Sequence, residues 1–244
     1  MANWSDPRMV GSAPAVDVGS RSAAYDAGLR SYMLSVYNYM ASGVLLTGVV
    51  ALLFASSGAA QSIMFGPGLL KWLIVFAPLG FIMAMNFGIN RMSTFTLQAC
   101  FWGFATVMGL SMSTIFLVYT GTSIAQTFFA TAAAFAGLSL WGYTTKKDLS
   151  GFGTFLIMGL VGLLVASVIN IFLQSGTMSL VISFIGVLLF AGLTAYDTQK
   201  IKSVYAYVAG TEMVGKSVIM GALELYLDFI NMFMFLLRFM GNRD

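Results

Sequence analysis

The sequence predicts an all-α integral membrane protein with seven transmembrane helices. Of its 244 residues 59% are hydrophobic and only 9% are charged, where a soluble domain carries about 25% charged residues. Mean hydropathy is +0.87. Seven apolar runs follow one another, each near the roughly 20 residues that an α-helix needs to cross a bilayer. A spanning helix satisfies its own backbone polar groups, which lipid cannot do.

The runs lie at 37–57, 69–89, 96–119, 123–143, 152–173, 177–197 and 219–240. Breakers separate them: SSGAAQ and Gly66-Pro67-Gly68, INRMS, TGTS, TTKKDLSG and QSGT. The sixth connection, 198–218, is the longest. Residues 1–36 are polar and contain Pro7 and Pro14. They read as a mostly disordered tail with a helical stretch near Tyr25–Tyr32, ahead of a seven-helix domain over 37–241. The tail lacks the basic start and short apolar core of a secretory signal.

Lys and Arg fall unevenly on the two sides. Arg8, Arg21, Arg30, Arg91, Lys146, Lys147, Lys200, Lys202 and Lys216 share one side; Lys71, Arg238 and Arg243 share the other. The positive-inside rule then places the N-terminus in the cytoplasm and the C-terminus outside. Small residues recur within the runs, as in Gly43/Thr47, Gly103/Gly109, Ala132/Ala136, Gly159/Gly162 and Gly186/Gly192. They let neighbouring helix backbones approach closely.

There is no histidine and one cysteine, Cys100. Ser-His and Cys-His nucleophilic pairs are therefore excluded, and a zinc site would lack its usual ligands. An intrachain disulfide is excluded too. The chain reads as a non-enzyme without a cofactor. No basic run suggests nucleic acid; the partner that composition implies is the lipid bilayer.

The last run, ALELYLDFINMFMFLLRFMG, carries Glu224, Asp228 and Asn231. At about 100° per residue all three share a stripe roughly 60° wide, which Phe235 extends as an apolar plug. An acid in hydrocarbon costs at least roughly 2.5–3.5 kcal/mol, so the stripe should face the bundle interior. Asp197 ends the sixth run in AYDTQKIK. Consecutive helices can bring Asp197 and Asp228 together. Two touching carboxyls titrate as a unit, and fully ionised they offer calcium hard oxygen ligands for transient binding. Arg91 is the nearest obvious counter-charge, either a latch partner or a snorkelling anchor. Lys200 and Lys202 read as snorkelling to the headgroups. Asp197 is alternatively a wet interfacial residue. Glu224 is either solvated or part of the cluster. Asn231, Asn86, Asn90 and Asn170 read as interhelical hydrogen-bond donors.

The strings ALELYLDFINMFMFLLRFMG and AYDTQKIK resemble the last two helices of the Bax inhibitor (transmembrane BAX-inhibitor-motif) family. YDAGLRSYMLSVYNYMASGVLLTG is similar to its bacterial YccA-like branch. The resemblance runs from about residue 25 to the C-terminus. It implies two three-helix layers around a central C-terminal helix, in the bacterial inner membrane. It also implies a pH-sensitive calcium (cation) leak channel gated by an aspartate pair, here Asp197 and Asp228, with Arg91 as the interacting arginine. A second implication is a regulator or substrate of a membrane-bound ATP-dependent protease, with the N-terminal tail as handle. A proton-coupled carrier is a third reading, which the absence of internal repeats disfavours.

Overall fold

The computed structural model describes residues 18–242. Residues 1–17 lie outside the described residues, and with them nearly half of the tail expected to serve as the protease handle. The described residues form α1 (Val18–Ser56), α2 (Ala59–Met64), α3 (Leu70–Gly88), α4 (Thr94–Met112), α5 (Ile115–Val118), α6 (Gly121–Thr144), α7 (Ser150–Leu173), α8 (Gly176–Val208) and α9 (Met213–Met240). With α4 and α5 taken together, seven helical segments among them are long and apolar enough to cross a membrane.

The breakers act through local chemistry. In INRMS, Ser93 caps α4 by accepting from the Thr96 N–H at 3.1 Å. In TGTS, Thr120 caps α6 from the Ser123 N–H. In QSGT, Gln174 closes α7 in the left-handed region, and Ser175 caps α8. These side chains satisfy amide groups that helix ends leave without partners.

Packing places α9 at the centre. It lies against α1, α4, α6 and α8, while α3 packs on α4 and α7 on α8. Thus α1, α3 and α4 form one layer and α6, α7 and α8 the other. In the most apolar window of α9 67% of residues are buried, against 11% in α7, which separates a core helix from a lipid-facing one. Tyr226 on α9 is fully buried, edge-on to Phe104 and Phe101 of α4. Its hydroxyl lies 2.6 Å from Thr47 Oγ1, which donates to the Ala105 carbonyl. One hydroxyl pair therefore ties α1, α4 and α9 together. Thr47→Val should cost about 0.6–1.7 kcal/mol, the range for hydrogen bonds between membrane helices, read as a shift in the unfolding midpoint in mixed micelles.

Several helices run beyond the expected spans. The first starts at Val18 rather than near residue 37, so the expected tail is helical from there onward. Within it Leu29, Tyr32, Met33 and Val36 recur at helical spacing and are buried. The sixth helix does not end at Asp197: α8 continues to Val208, and Gly210 turns the chain at φ 76° into α9. At 33 residues, α8 is about 50 Å long against a hydrocarbon core of about 30 Å. The protruding turns of α1 and α8 hold each other, since Tyr205 packs on Tyr25 and Tyr32 with ring centroids 5.2 Å apart in each case. The connection expected over 198–218 is helical except for the short turn between α8 and α9.

Candidate functional site

Helices α8 and α9 run antiparallel in close register. Gly221 lies on Ile201, Glu224 meets Lys200, Asp228 meets Asp197, and Phe235 covers Gly186 and stacks on Phe190. The polar stripe of α9 and its Phe235 plug all line one cavity of about 480 Å³. The opposite wall comes from α7, through Ile157, Leu160 and Leu164. Because α7 packs on α8 and makes no comparable contact with α9, the seam between α7 and α9 stays open.

The charged groups are graded by depth. Asp228 is deepest, with only 4% of its surface exposed. The side chains of Asp197, Glu224 and Lys200 are 14%, 35% and 44% exposed. The Asp197 and Asp228 carboxyls are in hydrogen-bonding contact. Carboxylates are acceptors only, so a bond between the two requires a shared proton. Lys200 Nζ donates to Glu224 Oε1 at 2.9 Å and lies 3.8 Å from Asp197 Oδ1. Among the described residues no N–H or hydroxyl group donates to Asp228 Oδ2.

The register of α8 at this level is clamped from both sides. Gly142 of α6 rests on the Ala195 backbone, and Gly153 of α7 rests on the Tyr196 ring. Thr198 Oγ1 lies 2.9 Å from Ser139 Oγ, which lies 2.6 Å from Tyr37 Oη. This hydroxyl chain joins α8, α6 and α1 beside Asp197.

The structure brings Asp197, Asp228, Glu224 and Asn231 together on the cavity, but not Arg91. Arg91 is exposed in the turn between α3 and α4 and makes no ion pair among the described residues. That turn sits against the start of α9, where Lys216 Nζ donates to the Ile89 carbonyl. Lys216 precedes Asp228 by about 18 Å of helix, so Arg91 belongs to the end of the bundle. Its expected place is taken by Lys200, which pairs with acids instead of snorkelling. The spacing of Asp197 and Lys200, one helical turn, was the available signal; it counts only once α8 is known to continue. Asn231 does not bridge helices, because its Nδ2 donates to Leu227 O of its own helix. Asn86 likewise bonds Ile82 O within α3, and Asn170 Oδ1 accepts from the Ser175 N–H at the end of α7. As a resident calcium site the acids fall short: among the described residues no group of three His, Cys, Asp or Glu can hold a metal ion. Calcium takes roughly 6–8 oxygen ligands.

Comparison with known proteins agrees with this architecture. Residues 29–244 match the Bax1-I family, described as inhibitor of apoptosis-promoting Bax1. An uncharacterized protein of Rickettsia prowazekii is 49% identical over 225 residues, covering 92% of this chain and 94% of its own. A protein of Caulobacter vibrioides is 43% identical, covering 96% and 98%. The inner membrane protein YbhL of Escherichia coli K12 is 43% identical, covering 89% and 94%. The named relative among these is YbhL, and the narrower likeness to the YccA-like branch gains no support. Seven apolar helical segments and relatives matched along almost their whole length leave one assignment: this multi-pass bacterial inner-membrane protein belongs to the Bax1-I (Bax inhibitor) family.

Proposed function

We propose that the protein is a pH-sensitive leak for calcium and other cations in the bacterial inner membrane, with its N-terminus in the cytoplasm and the Asp197–Asp228 pair as gate. The observation that carries this reading is the carboxyl–carboxyl contact across the α8–α9 seam, lining a cavity. With a proton between them the two carboxyls bond and hold the helices together. Without it, two like charges meet at a buried position, and repulsion is relieved by separating the helices or admitting a cation. Lys200 and Glu224 flank the pair on its more exposed side, so protons and ions meet a charged approach first. Arg91 has no part in this gate, and calcium is the permeant ion rather than a resident ligand.

The test is calcium uptake into proteoliposomes across about pH 5 to 8, since two touching carboxyls take up and release protons as a unit. Flux should rise several-fold as the proton is lost. Asp228→Asn removes one charge, and its amide can donate to Asp197 at any pH, so its flux should be low and flat across the series. A pH profile identical to that of the unmodified protein would reject the aspartate gate.

A further inference from the structure

We infer that the cavity between α7, α8 and α9 is a binding site for a single-chain amphiphile with a primary ammonium head. Its two ends differ in chemistry. One end holds Asp228, Asp197, Glu224 and Asn231; the other is walled by Ile157, Leu160, Leu164 and Phe235. Charge selects a cationic head. Even with one proton shared by the two aspartates, three acids face a single lysine, leaving one negative charge at the site. Lys200 is committed to Glu224 and Asp197 and forms no bond to Asp228, whose Oδ2 is buried with no N–H or hydroxyl partner among the described residues. A buried oxygen that no N–H reaches is desolvated without full compensation, so a ligand ammonium placed there supplies donors that the protein does not. Asn231 uses its amide nitrogen on Leu227 O and keeps its amide oxygen for a second ammonium hydrogen.

The rest of the lining selects an alkyl tail. The α7 wall offers one hydroxyl, that of Ser167, which donates to the Leu163 carbonyl of its own helix, far short of the roughly 6–8 oxygen ligands that calcium takes. A volume of about 480 Å³ falls within the roughly 300–1,000 Å³ of small-molecule sites and suits one chain rather than a two-chain phospholipid. The open seam gives such a chain a lateral route from the bilayer, since Ile157 and Leu164 are themselves exposed on α7. This inference does not use the leak reading: the site would bind whether or not ions pass.

The experiment uses the full chain in neutral-lipid nanodiscs with two photoreactive probes, a diazirine-bearing dodecylamine and the matching dodecanol. Crosslinked residues are mapped by peptide mass spectrometry. The amine should label the α7–α9 wall about tenfold or more over the alcohol, the factor expected of a charge-assisted hydrogen bond. Asp228→Asn should remove that preference. Leu160→Trp, which fills the wall and leaves the acids alone, should abolish labelling by both probes. Asp148→Asn, at the exposed turn before α7, should change nothing. Equal labelling by amine and alcohol, or amine labelling of this wall that survives Leu160→Trp, would overturn the proposal. If Asp228→Asn fails to fold, Leu160→Trp and the amine-to-alcohol ratio in the unmodified protein still decide it.

Discussion

Tyr226→Ala is expected to lower stability by about 3 kcal/mol, the low end of the roughly 3–5 kcal/mol found when buried aromatics are truncated. Tyr226 is among the largest fully buried side chains and touches two aromatic rings of α4. The value sits at the low end because the alternative environment is lipid. Helices separated within a bilayer still bathe the ring in hydrocarbon, so the water-transfer part of the usual penalty falls away. What remains is the cavity, whose lining forfeits its dispersion attraction to the ring. Tyr226→Phe keeps the ring and removes only the Thr47 hydrogen bond, so it should cost about 0.6–1.7 kcal/mol. Unfolding in mixed micelles, followed by helix content and protease resistance, ranks the two. An Ala variant no less stable than the Phe variant would mean that ring packing does not hold α9 in place.

The central position of α9 was legible in its sequence because lipid forbids its acids. Glu224, Asp228 and Asn231 on one stripe can be tolerated only on an enclosed helix, and Phe235 falls in the same row. The encounter of Asp197 with Asp228 followed from the same reasoning, since both acids needed partners and their helices are chain neighbours. Hydropathy could not reveal where α8 ends. It reports the thickness of the bilayer, whereas the last turns of α8 are held by Tyr205 against Tyr25 and Tyr32, far away in the chain. Taking Asp197 as the end of a helix hid Lys200, which needs one further turn to reach the acids. It also promoted Arg91, which looked close only because both residues were assigned to span ends on one side. The α7 wall was illegible for another reason: its apolar residues look alike, and only packing tells which of them face the cavity.

Gly142 is where fold and gate meet, and its substitution should disturb both. A Cβ added there would meet the backbone carbonyl of Ala195, which cannot rotate aside as a side chain could. Ala195 lies two residues before Asp197 on α8, and Gly153 presses on Tyr196 from the other side. The helix is therefore flanked beside its acid by two glycine contacts, one from α6 and one from α7. Overpacking typically costs about 1–3 kcal/mol and occasionally more, and a backbone obstruction favours the upper part of that range. Gly142→Leu should therefore prevent assembly, seen as loss of a monodisperse peak and of protease resistance after extraction. Gly142→Ala should fold with α8 displaced from α6. Since the Thr198–Ser139 bond crosses the same interface, that bond should weaken too. Displacement changes the approach of Asp197 to Asp228, so the flux of Gly142→Ala should respond to pH differently from that of the unmodified protein. Gly137→Ala on the same helix, where an added Cβ meets open space, should leave both stability and pH response alone. Equal behaviour of the two alanine variants would show that the acid pair does not depend on how closely α6 approaches α8.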